Sequence, residues 1–368
     1  MRHPRSSRPR LFLNDSTRMS QLPSSPLQSN KSNYDITIDG IRVVATFLVV
    51  AIHVSGKGFP LLHERHWWAV NLWESFSRVS VPLFFMLTGA LLLPKTHTIS
   101  SILNRVWRVA VPLVGWSILY LIWNKISGSD RDNWILEILK NPVAGHLWYL
   151  YTLIAIYLFM PVLAAFYQAS TFRMQLFLLS FWLLGACILP AAYVITKEGY
   201  LGLNLAIFHI YPGYVLAGAV FYSRFSPSMT VKLISGSVWA ICTALIAYYT
   251  WSLSLSRKEM YEIYYEYFSP FVFIGSIAAL VFLKAAFSAM TNPESKLFKA
   301  IRSLAPLTFG IYLLHPMVIW ALDLNGYDYR FVNPWISIPM LVAAVTLISG
   351  GLIFLIQKIP VLKLMAPR

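Results

Sequence analysis

Acidic residues are scarce in this chain: 15 Asp and Glu stand against 30 Lys and Arg, and charged residues make up only 12% of 368 positions. Soluble domains carry about a quarter charged residues, so this chain lacks the polar surface of an ordinary water-soluble globule. Cysteine is nearly missing. The two present, Cys187 and Cys242, both sit in apolar runs, which excludes a disulfide framework and leaves them as packing residues. There is no glycine-rich Walker loop, no cysteine cluster and no His-Glu-x-x-His helix, so nucleotide hydrolysis and zinc chemistry are excluded and no metal is expected. Residues 1–35 contain no apolar run long enough for the core of a signal peptide.

What the chain has instead is 57% apolar and 15% aromatic residues. Ten apolar stretches reach the length needed to cross a hydrocarbon core of about 30 Å. They run roughly over 38–56, 76–93, 106–124, 147–166, 175–194, 204–222, 233–251, 267–286, 305–322 and 335–356. The expected fold is all-α, a polytopic transmembrane bundle of about ten spans. Several spans carry proline, which neighbouring helices tolerate by pairing the freed carbonyls. Residues 1–35, rich in Ser, Pro and Arg, read as a disordered basic cytoplasmic tail, 36–358 as the membrane domain and 359–368 as a short cytoplasmic tail. Met19 follows an arginine-rich stretch and is an alternative start.

Charge bias sets the expected orientation. With the N-terminus inside, 20 of the 30 basic residues fall on the cytoplasmic side and 11 of the 15 acids on the other, so both termini are expected in the cytoplasm. The net charge of +15 is then topological, and no nucleic-acid partner is implied.

One span is unusual. Arg42 and His53 lie in the first, with Asp39 one turn before Arg42. Eleven positions make about three helical turns, so the two side chains share a face about 16 Å apart along the axis. An arginine at the centre of a span disfavours insertion by roughly 2.5–3.5 kcal/mol, which marks it as a functional candidate. In this topology Arg42 lies near the cytoplasm and His53 in the outer half. Arg105 and Arg108, three apart on one face, begin the third span at the same side. They serve either as topological anchors or, with Arg42, as a phosphate site, because the guanidinium fork makes bidentate charge-assisted bonds. His315 sits near the midplane of the ninth span, as a packing residue or as a second chemical group, and His209 precedes Pro212 and Gly213 at another possible polar opening. Arg78, His146, Trp148 and Tyr149 fall at outer span ends, where aromatic rings also form the ordinary interfacial belt. Glu259, Glu262 and Glu266 would form one solvated stripe if their loop were helical.

The blocks Asp39-Gly40-Ile41-Arg42 through His53, Ser77-Arg78-Val79-Ser80-Val81-Pro82-Leu83-Phe84-Phe85-Met86-Leu87-Thr88-Gly89, Arg105-Val106-Trp107-Arg108, His146-Leu147-Trp148-Tyr149-Leu150-Tyr151 and Gly310-Ile311-Tyr312-Leu313-Leu314-His315-Pro316 resemble the acyltransferase 3 family of integral membrane acyltransferases. The resemblance extends over about residues 35–358, with Thr88 where many members have serine. It implies transfer of an acyl group, most simply acetyl, from cytoplasmic acyl-CoA to a hydroxyl of an envelope glycan or lipid-linked saccharide at a bacterial inner membrane. It further implies that Arg42, Arg105 and Arg108, with Asp39 in support, hold the CoA phosphates of acetyl-CoA. His53 would act as general base, with His315 assisting. Arg78, His146, Trp148 and Tyr149 would face the acceptor.

The competing expectation is a transporter of an envelope lipid or glycan. Coupled transporters usually carry an acid within the bilayer, and no Asp or Glu falls in the middle of these ten stretches. A non-catalytic scaffold would leave Arg42 and His53 without a task.

Overall fold

An apolar chain in lipid must pair every backbone N–H and C=O within itself, and apolar runs of this length can do so only as helices. The computed structural model describes residues 36–129, 133–196 and 209–367. Among them there is no strand. The helices are α1 (Ile36–Ser55), α2 (Trp67–Ser77), α3 (Ser80–Leu92), α4 (Ile99–Ile126), α5 (Trp134–Lys140), α6 (Trp148–Ala169), α7 (Phe172–Leu183), α8 (Leu189–Thr196), α9 (Ile210–Arg224), α10 (Met229–Arg257), α11 (Pro270–Ser288), α12 (Lys296–Leu304), α13 (Thr308–Leu324) and α14 (Pro334–Ile356). The expected tail at 1–35 lies outside the described residues.

Nine helical segments among the described residues are long and apolar enough to cross a membrane, four of them jointed: Trp67–Leu92, Gly145–Ala169, Phe172–Thr196 and Lys296–Leu324. The tenth expected stretch, 204–222, begins outside the described residues. Its described part is α9, a helix of 15 residues whose central run Gly213–Val220 is buried.

The second span is longer than the apolar run suggested. It begins at Trp67 rather than at 76 and bends at Arg78 and Val79 between α2 and α3. Pro82 explains the bend, since its missing N–H leaves the Arg78 carbonyl four residues earlier without a helical donor. The extension brings Glu74 into the span, where it is 1% exposed. The second span therefore carries an acid toward its Trp67 end that the shorter apolar run had left outside. The third span also starts earlier: Thr98 and Ser101 form a reciprocal capping box at 3.2 and 3.1 Å, so Arg105 and Arg108 project from within α4 rather than begin it.

α1 is the hub of the bundle, packed against α2, α3, α11, α13 and α14. Close packing without a hydrophobic driving force relies on small residues. At the α3–α9 crossing a Cβ on Gly89 would lie 1.8 Å from the Val215 carbonyl oxygen, and one on Gly218 would lie 2.1 Å from that of Met86. The C-terminal residues also fold onto the bundle. Trp116 donates its indole N–H to the Met365 carbonyl at 2.8 Å, and Gln357 donates to that of Ala366 at 3.0 Å. The acidic segment after α10 is not a helix: Lys258 ends α10 in the left-handed conformation, and Glu262–Tyr267 form turns that bury Ile263 and Tyr265. Both cysteines are free and buried.

Candidate active site

Two polar clusters occupy the bundle, one toward each end of α1. At the N-terminal end, Asp39 and Arg42 pair at 2.8 Å across one helical turn. α4 brings Arg105 and Arg108 to the same place, and all three guanidiniums line one cavity of about 440 Å³. Its walls come from α1, α3, α4, α6 and α13, with Thr88, Tyr149, Tyr157 and Tyr312 supplying hydroxyl groups. Neither Arg105 nor Arg108 is paired with an acid among the described residues, and the Arg105 Nε is buried without a hydrogen-bond partner. Three cations against one carboxylate leave this cavity with unspent donors. Its natural complement is an anion with several oxygens.

Three turns along α1 stands His53, beside two further histidines. Its ring centroid lies 4.9 Å from His315 of α13 and 6.3 Å from His146, and the last two are 5.5 Å apart. His146 sits in the short 3-10 turn Gly145–Leu147 that opens the α6 span. The sequence explains the orientation of His315. Pro316 lacks the N–H that would bond the Tyr312 carbonyl, and the His315 Nδ1–H donates to that carbonyl instead, at 2.7 Å. With Nδ1 holding the proton, Nε2 carries the lone pair, and that atom is buried with no partner. The Nε2 of His146 is buried and unpartnered as well. A buried imidazole with a free lone pair is equipped to accept a proton or orient a hydroxyl.

Tyr312 joins the two clusters. It lines the arginine cavity, its ring is 5.5 Å from His146 and 6.2 Å from His315, and its hydroxyl donates to the His146 carbonyl at 2.5 Å. Tyr149 stands 5.6 Å away on the same wall. On the other flank of the histidines, Tyr120 donates to the Leu313 carbonyl at 3.0 Å and places its ring 5.2 Å from His146. Beyond His53 lies the buried pair Glu74–Arg78. Ser55 donates to one carboxylate oxygen of Glu74 and Arg78 to the other, while the Arg78 guanidinium lies 4.5 Å over the Tyr265 ring. Tyr265 in turn donates to the Asn71 side chain at 2.5 Å.

The structure thus gathers Arg42, Arg105 and Arg108 at one cavity, and His53 and His315 at one cluster. The four residues expected to face an acceptor separate. His146 belongs to the histidine cluster, and Tyr149 lines the arginine cavity. Arg78 is engaged by Glu74, and Trp148 packs against Tyr211 and Tyr267 at 5.3 and 5.8 Å. His209 precedes α9 at its N-cap position without a side-chain capping bond, and its ring lies tilted 5.2 Å from that of Tyr211. Glu74, Tyr120 and Tyr312 were not foreseen. Glu74 had a legible signal in its four-residue spacing from Arg78, and Tyr312 in its place one turn before His315. Among the described residues, no group of three or more His, Cys, Asp or Glu is arranged to hold a metal ion.

Among known proteins, no curated sequence and no solved structure matches the chain. A family model does, the one described as an acyltransferase domain, over residues 35–354, nearly the whole of the helical bundle. The chain therefore belongs to the acyltransferase 3 family, as a polytopic helical membrane acyltransferase.

Proposed function

We propose that this protein transfers an acetyl group from cytoplasmic acetyl-CoA to a hydroxyl of an envelope glycan or lipid-linked saccharide, in a bacterial inner membrane with both termini cytoplasmic. One observation carries the reading: a single cavity lined by three arginines shares its Tyr312 wall with a cluster of three histidines. Arg42, Arg105 and Arg108 bind the phosphates of CoA, and Asp39 holds Arg42 in position. The pantetheine arm extends along α1 past Tyr149 and Tyr312 toward His53, about 16 Å from Arg42, a separation that a rigid helix maintains.

The acceptor hydroxyl meets the thioester carbonyl at His53. His53 takes the hydroxyl proton as the oxygen forms its bond to the acyl carbon, the carbon–sulfur bond breaks, and the departing thiolate receives a proton to leave as CoA thiol. His315, with Nε2 as its lone-pair nitrogen, orients or relays that proton. Such a base contributes about 10² to 10⁴ in rate, and alignment of thioester and hydroxyl supplies much of the rest. Arg78 and Trp148 stand on the acceptor side. Acetyl as the group moved, and a glycan as its receiver, draw on the Ser77–Gly89 and His146–Tyr151 blocks, which look similar to those of the O-acetyltransferase of enterobacterial common antigen biosynthesis.

The buried Glu74–Arg78 pair favours one other reading, a transporter, since intramembrane ion pairs often line transport paths. One experiment separates the two. Membranes carrying the intact protein or His53→Ala receive acetyl-labelled acetyl-CoA, and envelope glycolipid and polysaccharide are assayed for label. Transfer by the intact protein that is absent from a correctly inserted His53→Ala supports the assignment. Retained transfer removes His53 as the base, and no transfer by either with acceptor present favours transport.

A further inference from the structure

The hydrogen bonding of α13 is interrupted beside His315, and the interruption is filled from another helix. Pro316 leaves the Tyr312 carbonyl without a helical donor, and the His315 imidazole takes that carbonyl at 2.7 Å. In a regular helix the next rung would join the Met317 N–H to the Leu313 carbonyl. Here the phenol of Tyr120, on α4, stands between them. It donates to the Leu313 carbonyl at 3.0 Å and accepts from the Met317 N–H. A side chain inserted into the helical ladder in this way bends the helix locally. Two consecutive rungs beside His315 therefore pass through side chains, and one of those side chains belongs to a different helix.

Tyr120 is buried, its ring lies 5.2 Å from that of His146, and it does not line the arginine cavity. Its helix is the one that carries Arg105 and Arg108, about 22 and 18 Å away along the axis. α4 packs mainly against α6, and one turn before Tyr120 it is tied to the C-terminal segment by the bond from Trp116 to the Met365 carbonyl. We propose that Tyr120 is a positioning residue for acyl transfer: its hydroxyl, by replacing a rung of α13, sets the tilt of His315 beside His53 and makes the arginine helix the element that fixes it. This rests on the acyl-transfer reading, and Tyr120 acts only through the histidines. Neither backbone group needs the phenol for its own sake, because without it the Met317 N–H and the Leu313 carbonyl can close on each other as in any helix. Loss of the hydroxyl should therefore straighten the segment and move His315 while leaving both groups paired, so that its effect falls on geometry rather than on the fold.

Tyr120→Phe keeps the ring against His146 and removes only the hydroxyl. In transfer from acetyl-CoA by the full chain in lipid, kcat per folded protein should fall about three- to tenfold, the scale of one buried hydrogen bond. Donor KM should not change, because Arg105 and Arg108 keep their places. Replacing Tyr120 by para-aminophenylalanine returns a donor to the same point and should restore kcat, which a loss of packing would not do. A second measurement is independent of turnover: solid-state nitrogen NMR of the histidine-labelled chain, in which the His315 lines are those lost in His315→Gln. These lines should move in Tyr120→Phe and return with para-aminophenylalanine. Unmoved lines would overturn the proposal whatever kcat does, and so would moved lines with an unchanged kcat. A parent that transfers no acetyl group would instead defeat the acyl-transfer reading, and the His315 lines alone would then decide whether Tyr120 sets that ring.

Discussion

The two charged sites at opposite ends of α1 solve opposite problems with the same residue types. At the Asp39 end, three arginines share one carboxylate around an open cavity, and the Arg42 side chain is still 36% exposed. At the Ser55 end, one arginine meets one carboxylate with no cavity between them, and the Glu74 side chain is 2% exposed. Excess cations beside space describe a place that waits for an anion. A matched and sealed pair describes a fixed part of the scaffold, because a buried ion is tolerated only when fully compensated. The histidines lie next to the wall of the first. That arrangement sets which substitutions should stop chemistry, which should loosen the fold and which should only weaken donor binding.

The sharpest separation comes from His53→Ala. Transfer should fall by about 10² to 10⁴ with donor binding unchanged, since the imidazole touches neither the arginines nor the phosphates they are proposed to hold. Rates measured beside equilibrium binding of a non-hydrolysable acetyl-CoA analogue test this; a parallel loss of binding would merge the two clusters into one site. Next, Glu74→Ala should cost about 3–5 kcal/mol of stability, by leaving Arg78 charged and unpaired among Tyr265 and the apolar helix faces. Thermal unfolding in a fixed lipid environment reads this directly. An unchanged midpoint would show that the pair is wet and exchangeable, and that Arg78 is free to contact the acceptor.

Most of the architecture was legible in the sequence, because periodic apolar length and a low charge density leave few choices in lipid. Arg42, His53 and Asp39 were placed on one face by helical spacing alone. What was not legible came from tertiary contact. Nothing in the local pattern says that His146, two residues before Trp148, turns inward to meet His53 and His315 rather than outward to the interface. The second span was underestimated because Asn71 and Glu74 lower the hydropathy before residue 76, although Glu74 is paired with Arg78 inside the span. The acidic stripe after α10 failed for a different reason: Ile263 and Tyr265, alternating rather than helically spaced, are the residues buried there, and they pull the segment into turns.

Arg42→Ala should act more gently than either change above. Removing one of three guanidiniums leaves Arg105 and Arg108 at the cavity, so the donor KM should rise about tenfold, equivalent to one charge-assisted hydrogen bond, with kcat retained. Because the remaining contacts are electrostatic and partly exposed, the KM of the parent should also climb with salt, and more steeply than that of the variant. A fall in kcat without a change in KM would detach Arg42 from the donor.

The smallest expected effect tests the joint between the clusters. Tyr312→Phe keeps the ring that lines the cavity and touches His146 and His315, and removes only the hydroxyl that bonds the His146 carbonyl. That bond lies inside the protein, so its loss should be worth about 0.5–1.5 kcal/mol, and if it serves to hold the His146 ring beside His53, kcat should drop up to about tenfold while donor KM stays put. Tyr149→Phe is the matched control. Its ring lies on the same wall without that bond to the histidine segment, so kcat should hold. If both variants behaved alike, the wall would be a passive partition and the two clusters would be coupled only through the substrate that spans them.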